Sequence, residues 1–428
     1  VASHQRPISL KGRVLRYEEP ARLTGVPMGS QIWHEGLERA ARVAYIAEKL
    51  KKEGWRPELI LAHTGWGETL GLQEVWPTVP QILWPELWVR PEHGGYGIDP
   101  LKPQAGLSNR LEQLGRNALT RTALSAARGW VLPTRHQAES LPPEFCDQRL
   151  HVIHEGIDTR LAHPNPEVRF EVRGIRIDRS VPTITFVNRN LERLRGFDLF
   201  MRSLPLIQKQ HSRVRVLIVG DNDAGYGGSD GDGPPLRQRM LQELNGQLDL
   251  ERIHFLGRVP HPVLMALLQA SWVHVYLSYP FILGWSLLEA MSCGCCIVGS
   301  RGMPVEEVIS DGVEGVLVPM QDPERLAQRI LALLQSPDLR ASFGARARGR
   351  ALQWDQAQML PKLEQIIRAA AIAPAGAPPT KSPCRWSTDQ PRLGSPSAPH
   401  HRAQRSPSPR RQHQMPPAAG RATGAAEP

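Results

Sequence analysis

The stretch from Trp272 to Ser300 constrains this chain more than any other. Trp272-Val273-His274-Val275-Tyr276-Leu277 is β-branched and aromatic, which suits a parallel strand buried on both faces. Pro280 and Gly284 then break it. Ser286 can cap a helix through Leu287-Leu288-Glu289-Ala290-Met291, and Gly294 can end that helix in the left-handed conformation. Cys296 to Ser300 reads as the next strand. The order strand, loop, helix, strand places a helix start at the carboxyl edge of a sheet, where open α/β sheets bind ligands. Free N–H groups there suit a phosphate. Glu289, one turn inside, is placed to reach a ribose hydroxyl beside it.

The flanking sequence repeats this alternation. Helices are expected over Gln31 to Lys52 and Leu107 to Ala127, with strands at Leu59 to His63, Gln81 to Trp84, Trp130 to Thr134 and Leu150 to His154. Val1 to Ser3 reads as the tail of a strand and Gly12 to Tyr17 as another. Thr159 to Ser180 is polar, charged and proline-bearing, which suits a linker. The pattern restarts with strands at Thr183, Arg215 and Ile253 and helices from Phe197, Leu236 and His261, and closes with three helices between Pro323 and Ala371. The expected fold is α/β, two doubly wound Rossmann-like domains facing across a cleft. The divisions are residues 1–158, a linker at 159–180, a second domain at 181–353, a closing helix at 354–372 and a basic Pro/Ser/Arg-rich tail at 373–428, expected to be disordered. The loop from Asp221 to Gly228 follows a strand but lacks the G-x-G-x-x-G spacing and carries aspartates that repel a pyrophosphate, which argues against a nicotinamide cofactor.

The net charge of +10 would suit nucleic acid, but much of the excess lies in the tail, so no nucleic-acid partner is expected. The five cysteines have neither disulfide-framework nor zinc spacing, consistent with a cytoplasmic protein. The longest apolar run, Val273 to Met291, contains Pro280 and Glu289 and reads as core, not a membrane span. The tail's Arg402, Arg405, Arg410 and Arg411 suggest peripheral contact with anionic lipid.

Leu288-Glu289-Ala290-Met291 followed by Cys293-Gly294 resembles the donor-sugar motif of retaining family-4 glycosyltransferases. That motif has two glutamates eight positions apart, the first followed by Gly-Phe-Gly. Glu289 matches the second; the first position is Phe281, followed by Ile282-Leu283-Gly284. Asn188 to Gly196 resembles the family's loop after the first donor-domain strand, with Arg195 for its lysine. Val152 to Asp158 resembles the Asn-Gly-Val-Asp turn before the linker, with Glu155 for the asparagine, and Gly302 to Gly312 resembles the segment after the donor helix.

The resemblance implies the GT-B fold and transfer of a hexosyl group from a nucleotide-diphosphate sugar to a hydroxyl acceptor with retention, without cofactor or metal. It assigns donor binding to Arg189, Arg195, Gly284, Ser286, Leu288 and Glu289. Guanidinium groups suit a departing diphosphate because they can grip its oxygens bidentately. The bland reading makes Arg189 and Arg195 solvated loop residues. Of the first domain, His63 and Glu86 are the catalytic candidates, because each ends a strand and so faces the cleft; a cap or turn former is the alternative. His34, His93 and His151 read as ordinary residues. Phe281 leaves open a non-catalytic nucleotide- or glycan-binding relative. Because Val1 already reads as the end of a strand, the first sheet is expected to lack its central opening strand.

Overall fold

The computed structural model describes residues 2–3, 14–223, 225, 227 and 233–372. The tail from 373 onward, with the disorder and lipid contact expected of it, lies outside the described residues. No described helix is long and apolar enough to cross a membrane.

The chain opens with β1 (Ala2–Ser3) and β2 (Arg16–Tyr17), paired in parallel as a small sheet of their own. Then come α1 (Met28–Lys52), β3 (Ile60–His63), α2 (Leu72–Val75), β4 (Gln81–Trp84), α3 (Leu107–Ala126), β5 (Gly129–Leu132), α4 (Arg135–Glu139) and β6 (Leu150–Val152). Strands β3 to β6 form a parallel sheet in sequence order, with β3 at one end among the described residues. The expected gap at the opening strand concerns residues 1–9, and only Ala2–Ser3 of these are described; they pair outside the four-stranded sheet.

The stretch expected to be a plain linker carries a hairpin, β7 (Phe170–Val172) and β8 (Ile175–Ile177). Arg173 and Gly174 turn it at positive φ, and the buried Ile177 anchors it to the core beneath. Phe170-Glu171-Val172 and Ile175-Arg176-Ile177 do alternate about Arg173-Gly174, but three positions each, inside a polar and charged stretch, fall short of the roughly four to eight over which alternation marks a strand.

The second half runs through β9 (Thr183–Asn190), α5 (Phe197–Gln210), β10 (Arg215–Asp221), α6 (Leu236–Glu243), β11 (Ile253–Gly257), α7 (His261–Ala270), β12 (Val273–Tyr276), α8 (Trp285–Ser292), β13 (Cys296–Ser300) and β14 (Gly315–Val318). Helices α9 (Pro323–Gln335), α10 (Pro337–Ala351) and α11 (Gln356–Ile372) complete it. Its six parallel strands lie in the order β11-β10-β9-β12-β13-β14. The order reverses between β9 and β12, so the crevice outside their carboxyl ends is the place where such a sheet binds ligands.

Both faces of this sheet are covered, because residues two apart along a strand share a face. Ile184 and Phe186 join Val216, Ile218, Val273 and Val275 under α5 and α9. Phe186 stacks on Phe200 at 4.7 Å between ring centroids. Val187, Leu217, Val219 and Ile297 face the other way, toward α7, α8 and α10. Helix α11 crosses back to the first sheet, where Leu363, Ile366 and Ala370 pack beside Ile82 and Val131. The crossing is tied at its root: Ile157 N donates to Trp354 O at 2.9 Å and Gln356 N to Ile157 O at 2.9 Å.

Candidate active site

Helix α8 begins one residue before its expected cap. Gly284 is the N-cap and makes no side-chain cap bond, while Ser286 lies within the first turn. The reason is Tyr276, whose hydroxyl accepts the Gly284 N–H at 2.8 Å and would be 3.0 Å from any Cβ there. Strand β12 thereby fixes the helix start without a serine. Gly294 is at φ +75° as expected. Its N–H reaches Met291 O and that of Cys295 reaches Ala290 O, both at 3.0 Å, a complete Schellman termination.

Arg195 is brought to the switch point by Gly196. That glycine sits at φ +65°, and a Cβ on it would lie 2.5 Å from the Leu277 Cβ. Arg195 is 8% exposed. Its Nη1 donates to Ser278 Oγ at 3.0 Å and to Ile282 O at 3.1 Å, with Tyr276 Oη at 3.4 Å. Its guanidinium lies over the Phe281 ring, 5.1 Å from the centroid. Phe281 is itself buried, so the aromatic ring at the motif's first position serves as a floor for the arginine.

The two ends of β3 and β4 also meet. Gly65 N–H donates to His63 Nδ1 at 3.1 Å, so the proton of a neutral His63 sits on Nε2, 3.2 Å from Glu86 Oε2. Glu86 has φ +60°, and Leu87 N–H closes onto Pro85 O at 2.6 Å. This is a γ-turn with a left-handed, non-glycine centre, a strained arrangement. Gln137 Nε2 holds the Glu86 carbonyl at 2.6 Å.

A cavity of about 550 Å³ joins the two sheets' carboxyl ends. Its wall includes His63, Trp66 and Glu86 from one side and Arg189, Phe281 and Ile282 from the other. The exposed Arg189 thus faces His63 and Glu86 across the cleft. Arg195, Gly284, Ser286, Leu288 and Glu289 lie outside this wall. Arg195 backs it through Phe281 and Ile282. The Leu288 side chain is fully buried in the core beneath α8. Glu289 Oε1 accepts from His261 Nε2 at 2.7 Å, so this carboxylate is tied to the start of α7.

Several groups escaped the sequence reading. Glu155 sits after β6, where burial raises its carboxyl pKa despite the Trp285 and Trp84 indoles, and nearby Glu86 raises it further. The signal was its place as a carboxylate in a turn resembling one with asparagine. Glu307 crosses the cleft: its oxygens accept the Arg135 and His136 backbone N–H groups at 3.0 and 2.7 Å. On the opposite rim Lys102 Nζ donates to Gly227 O at 2.9 Å. Such long-range contacts leave no periodic trace.

Residues 2–162 match the Glycosyl transferase family 4 group and residues 169–350 the Glycosyl transferases group 1. The chain is 27% identical over 260 residues to D-inositol 3-phosphate glycosyltransferase 1 of Catenulispora acidiphila, a match covering 60% of each chain. It is 27% identical over 285 residues to the phosphatidyl-myo-inositol mannosyltransferase of Mycolicibacterium smegmatis, covering 60% of this chain and 69% of that one. In fold it is similar to sucrose-phosphate synthase from Thermosynechococcus elongatus, with a TM-score of 0.64 at 18% identity over 86% of both chains. It is also similar to Anabaena HepE solved with UDP and glucose, with a TM-score of 0.57 at 17% identity, covering 83% of this chain and 86% of that one. The two consecutive family matches and the paired parallel sheets agree: the chain belongs to the family-4 glycosyltransferases of the GT-B fold.

Proposed function

We propose that this protein transfers a hexosyl group from a nucleotide-diphosphate sugar to a hydroxyl acceptor with retention of anomeric configuration. The observation that carries the reading is the single cavity onto which His63 and Glu86 converge from one sheet and Arg189, Phe281 and Ile282 from the other. Its second wall is the switch point of a doubly wound sheet, next to the start of α8, which suits a diphosphate. Arg189 and Arg195 are the cations that would take up charge as the bond to phosphate breaks. Both electrons of the anomeric C–O bond leave with the phosphate oxygen. The acceptor oxygen bonds to the anomeric carbon from the same face, and its proton passes to that phosphate oxygen. His63 donates its N–H to one oxygen of Glu86, which leaves the other carboxylate oxygen to accept from a substrate hydroxyl. The names of the two relatives favour a cyclitol hydroxyl as acceptor.

One observation favours a second reading, a nucleotide- or glycan-binding protein without turnover: Phe281 fills the motif's first carboxylate position and holds Arg195. Mass-spectrometric assay of UDP-, GDP- and ADP-sugars, with and without myo-inositol or its phosphate, separates the two. Release of one nucleoside diphosphate with an α-linked product from an α-linked donor is expected. Binding of the nucleotide with no consumption of any donor would select the second reading.

A further inference from the structure

Beside the cavity lies a group of side chains that the proposed transfer does not use. Glu155 follows β6, where the chain leaves the first sheet. The indoles of Trp84, at the end of β4, and Trp285, the first residue of α8, are placed to favour its charged form, and Glu86 opposes that ionisation. His154 immediately precedes it and is 3% exposed. Its Nδ1 accepts the Gly156 N–H at 3.0 Å, so a neutral ring carries its proton on Nε2. That Nε2 is buried without a hydrogen-bond partner and lies 3.6 Å from Glu155 Oε2. Among the described residues no arginine or lysine forms an ion pair with Glu155, as would be expected if its role were to tie the crossover to a neighbour. Trp285, meanwhile, is 57% exposed, so its indole is open to a ligand.

A flat apolar face beside carboxyl oxygens is the chemistry that recognises a polyhydroxylated ring. Its C–H face packs on an indole, and its hydroxyls donate to the carboxylates. We propose that Glu155 and Trp285 form a ring-binding subsite, in which Trp285 stacks on a sugar or cyclitol ring and Glu155, backed by His154, accepts its hydroxyls. The inference deepens the glycosyl-transfer reading and rests on it for the ring's source: the donor's hexose or the acceptor.

Calorimetry on the full chain tests it with Glu155→Ala and with Trp285→Ala, whose exposed site tolerates truncation. The probes are UDP, GDP and ADP, their glucose and mannose conjugates, and free myo-inositol and glucose. Both variants are expected to bind the bare nucleoside diphosphate within twofold of wild type. A loss of tenfold or more for the sugar conjugate assigns the subsite to the donor hexose; the same loss for a free polyol added to nucleotide-loaded protein assigns it to the acceptor. Unchanged affinity for both classes overturns the subsite, as does an equal loss for bare nucleotide. If wild type binds no nucleoside diphosphate, the transfer reading fails by itself. Quenching of Trp285 fluorescence by polyols, with Trp285→Phe as control, then decides the subsite, and no response overturns it.

Discussion

Glu86 holds a backbone conformation that costs an L-residue roughly 1–2 kcal/mol, and its side chain ends beside His63 Nε2. Removing the charge while keeping the shape, as in Glu86→Gln, is expected to lower turnover by about 10²-fold or more with little change in melting temperature. Glu86→Gly, which suits φ +60°, is expected to keep its stability and lose turnover to a similar degree. Parallel thermal melts and donor-consumption assays check both, and full turnover in either variant would remove Glu86 from the chemistry. Buried histidines set a different dependence. Burial pushes His154 down to about 4, so the unfolded chain binds the proton first as pH falls. The stability contributed by neutral His154 is therefore complete above about pH 6.5 and lost between there and pH 4. A shift of this size is on the order of 3 kcal/mol, and His154→Gln should flatten the fall in urea midpoint over that window.

At the scale of elements, α8 was legible because its signals are local: a β-branched strand before it, breakers between, and a glycine after it. Gly294→Ala tests the last of these. It places a Cβ in a left-handed C′ position, 3.3 Å from Pro164 Cγ, and should cost about 1–2 kcal/mol, measured as a lowered urea midpoint with unchanged slope. The helix starts elsewhere than expected because Tyr276, across the loop, fixes the N-cap Gly284 by accepting its N–H, and no neighbouring hydroxyl caps the first turn. The hairpin of β7 and β8 does alternate, as Phe170-Glu171-Val172 and Ile175-Arg176-Ile177, but each strand is shorter than the roughly four residues over which such a period marks a strand in a charged stretch. Of the candidate site, His63 and Glu86, named from the strand-end rule, and Arg189, named from the resemblance, line one cavity. Glu155 is legible only as the residue in place of an asparagine in a resembling turn, because its neighbours Trp84 and Trp285 lie 71 and 130 positions away in the sequence.

The whole molecule holds its cleft between two rims. On one rim Thr134 Oγ1 accepts the Gln137 N–H of α4 at 3.2 Å, leaving the first two helical N–H groups for Glu307 from the other side of the cleft. Arg350 Nη2 in turn donates to the Glu307 carbonyl at 3.3 Å. A carboxylate against a helix N-terminus is favourable for both hydrogen bonding and dipole. On the other rim Lys102 reaches Gly227 O, Gln321 Nε2 reaches Ile98 O at 3.3 Å, and the buried Asp99 lies 3.9 Å from Arg193. The Glu307 contact is the stronger, since one residue satisfies two N–H groups in a mostly buried place, whereas Lys102 makes neutral-acceptor bonds that water can replace. Glu307→Ala is expected to strip both N–H groups of their acceptor, lower stability by about 1–3 kcal/mol and widen the cleft, whereas Lys102→Ala should change stability by less than about 1 kcal/mol. Small-angle scattering with and without saturating nucleotide measures the opening. Glu307→Ala should show a larger radius of gyration without ligand and a greater contraction on binding. An unchanged radius in both states would mean that packing at the crossover, where Ile157 is held between Trp354 and Gln356, sets the cleft width without help from either rim.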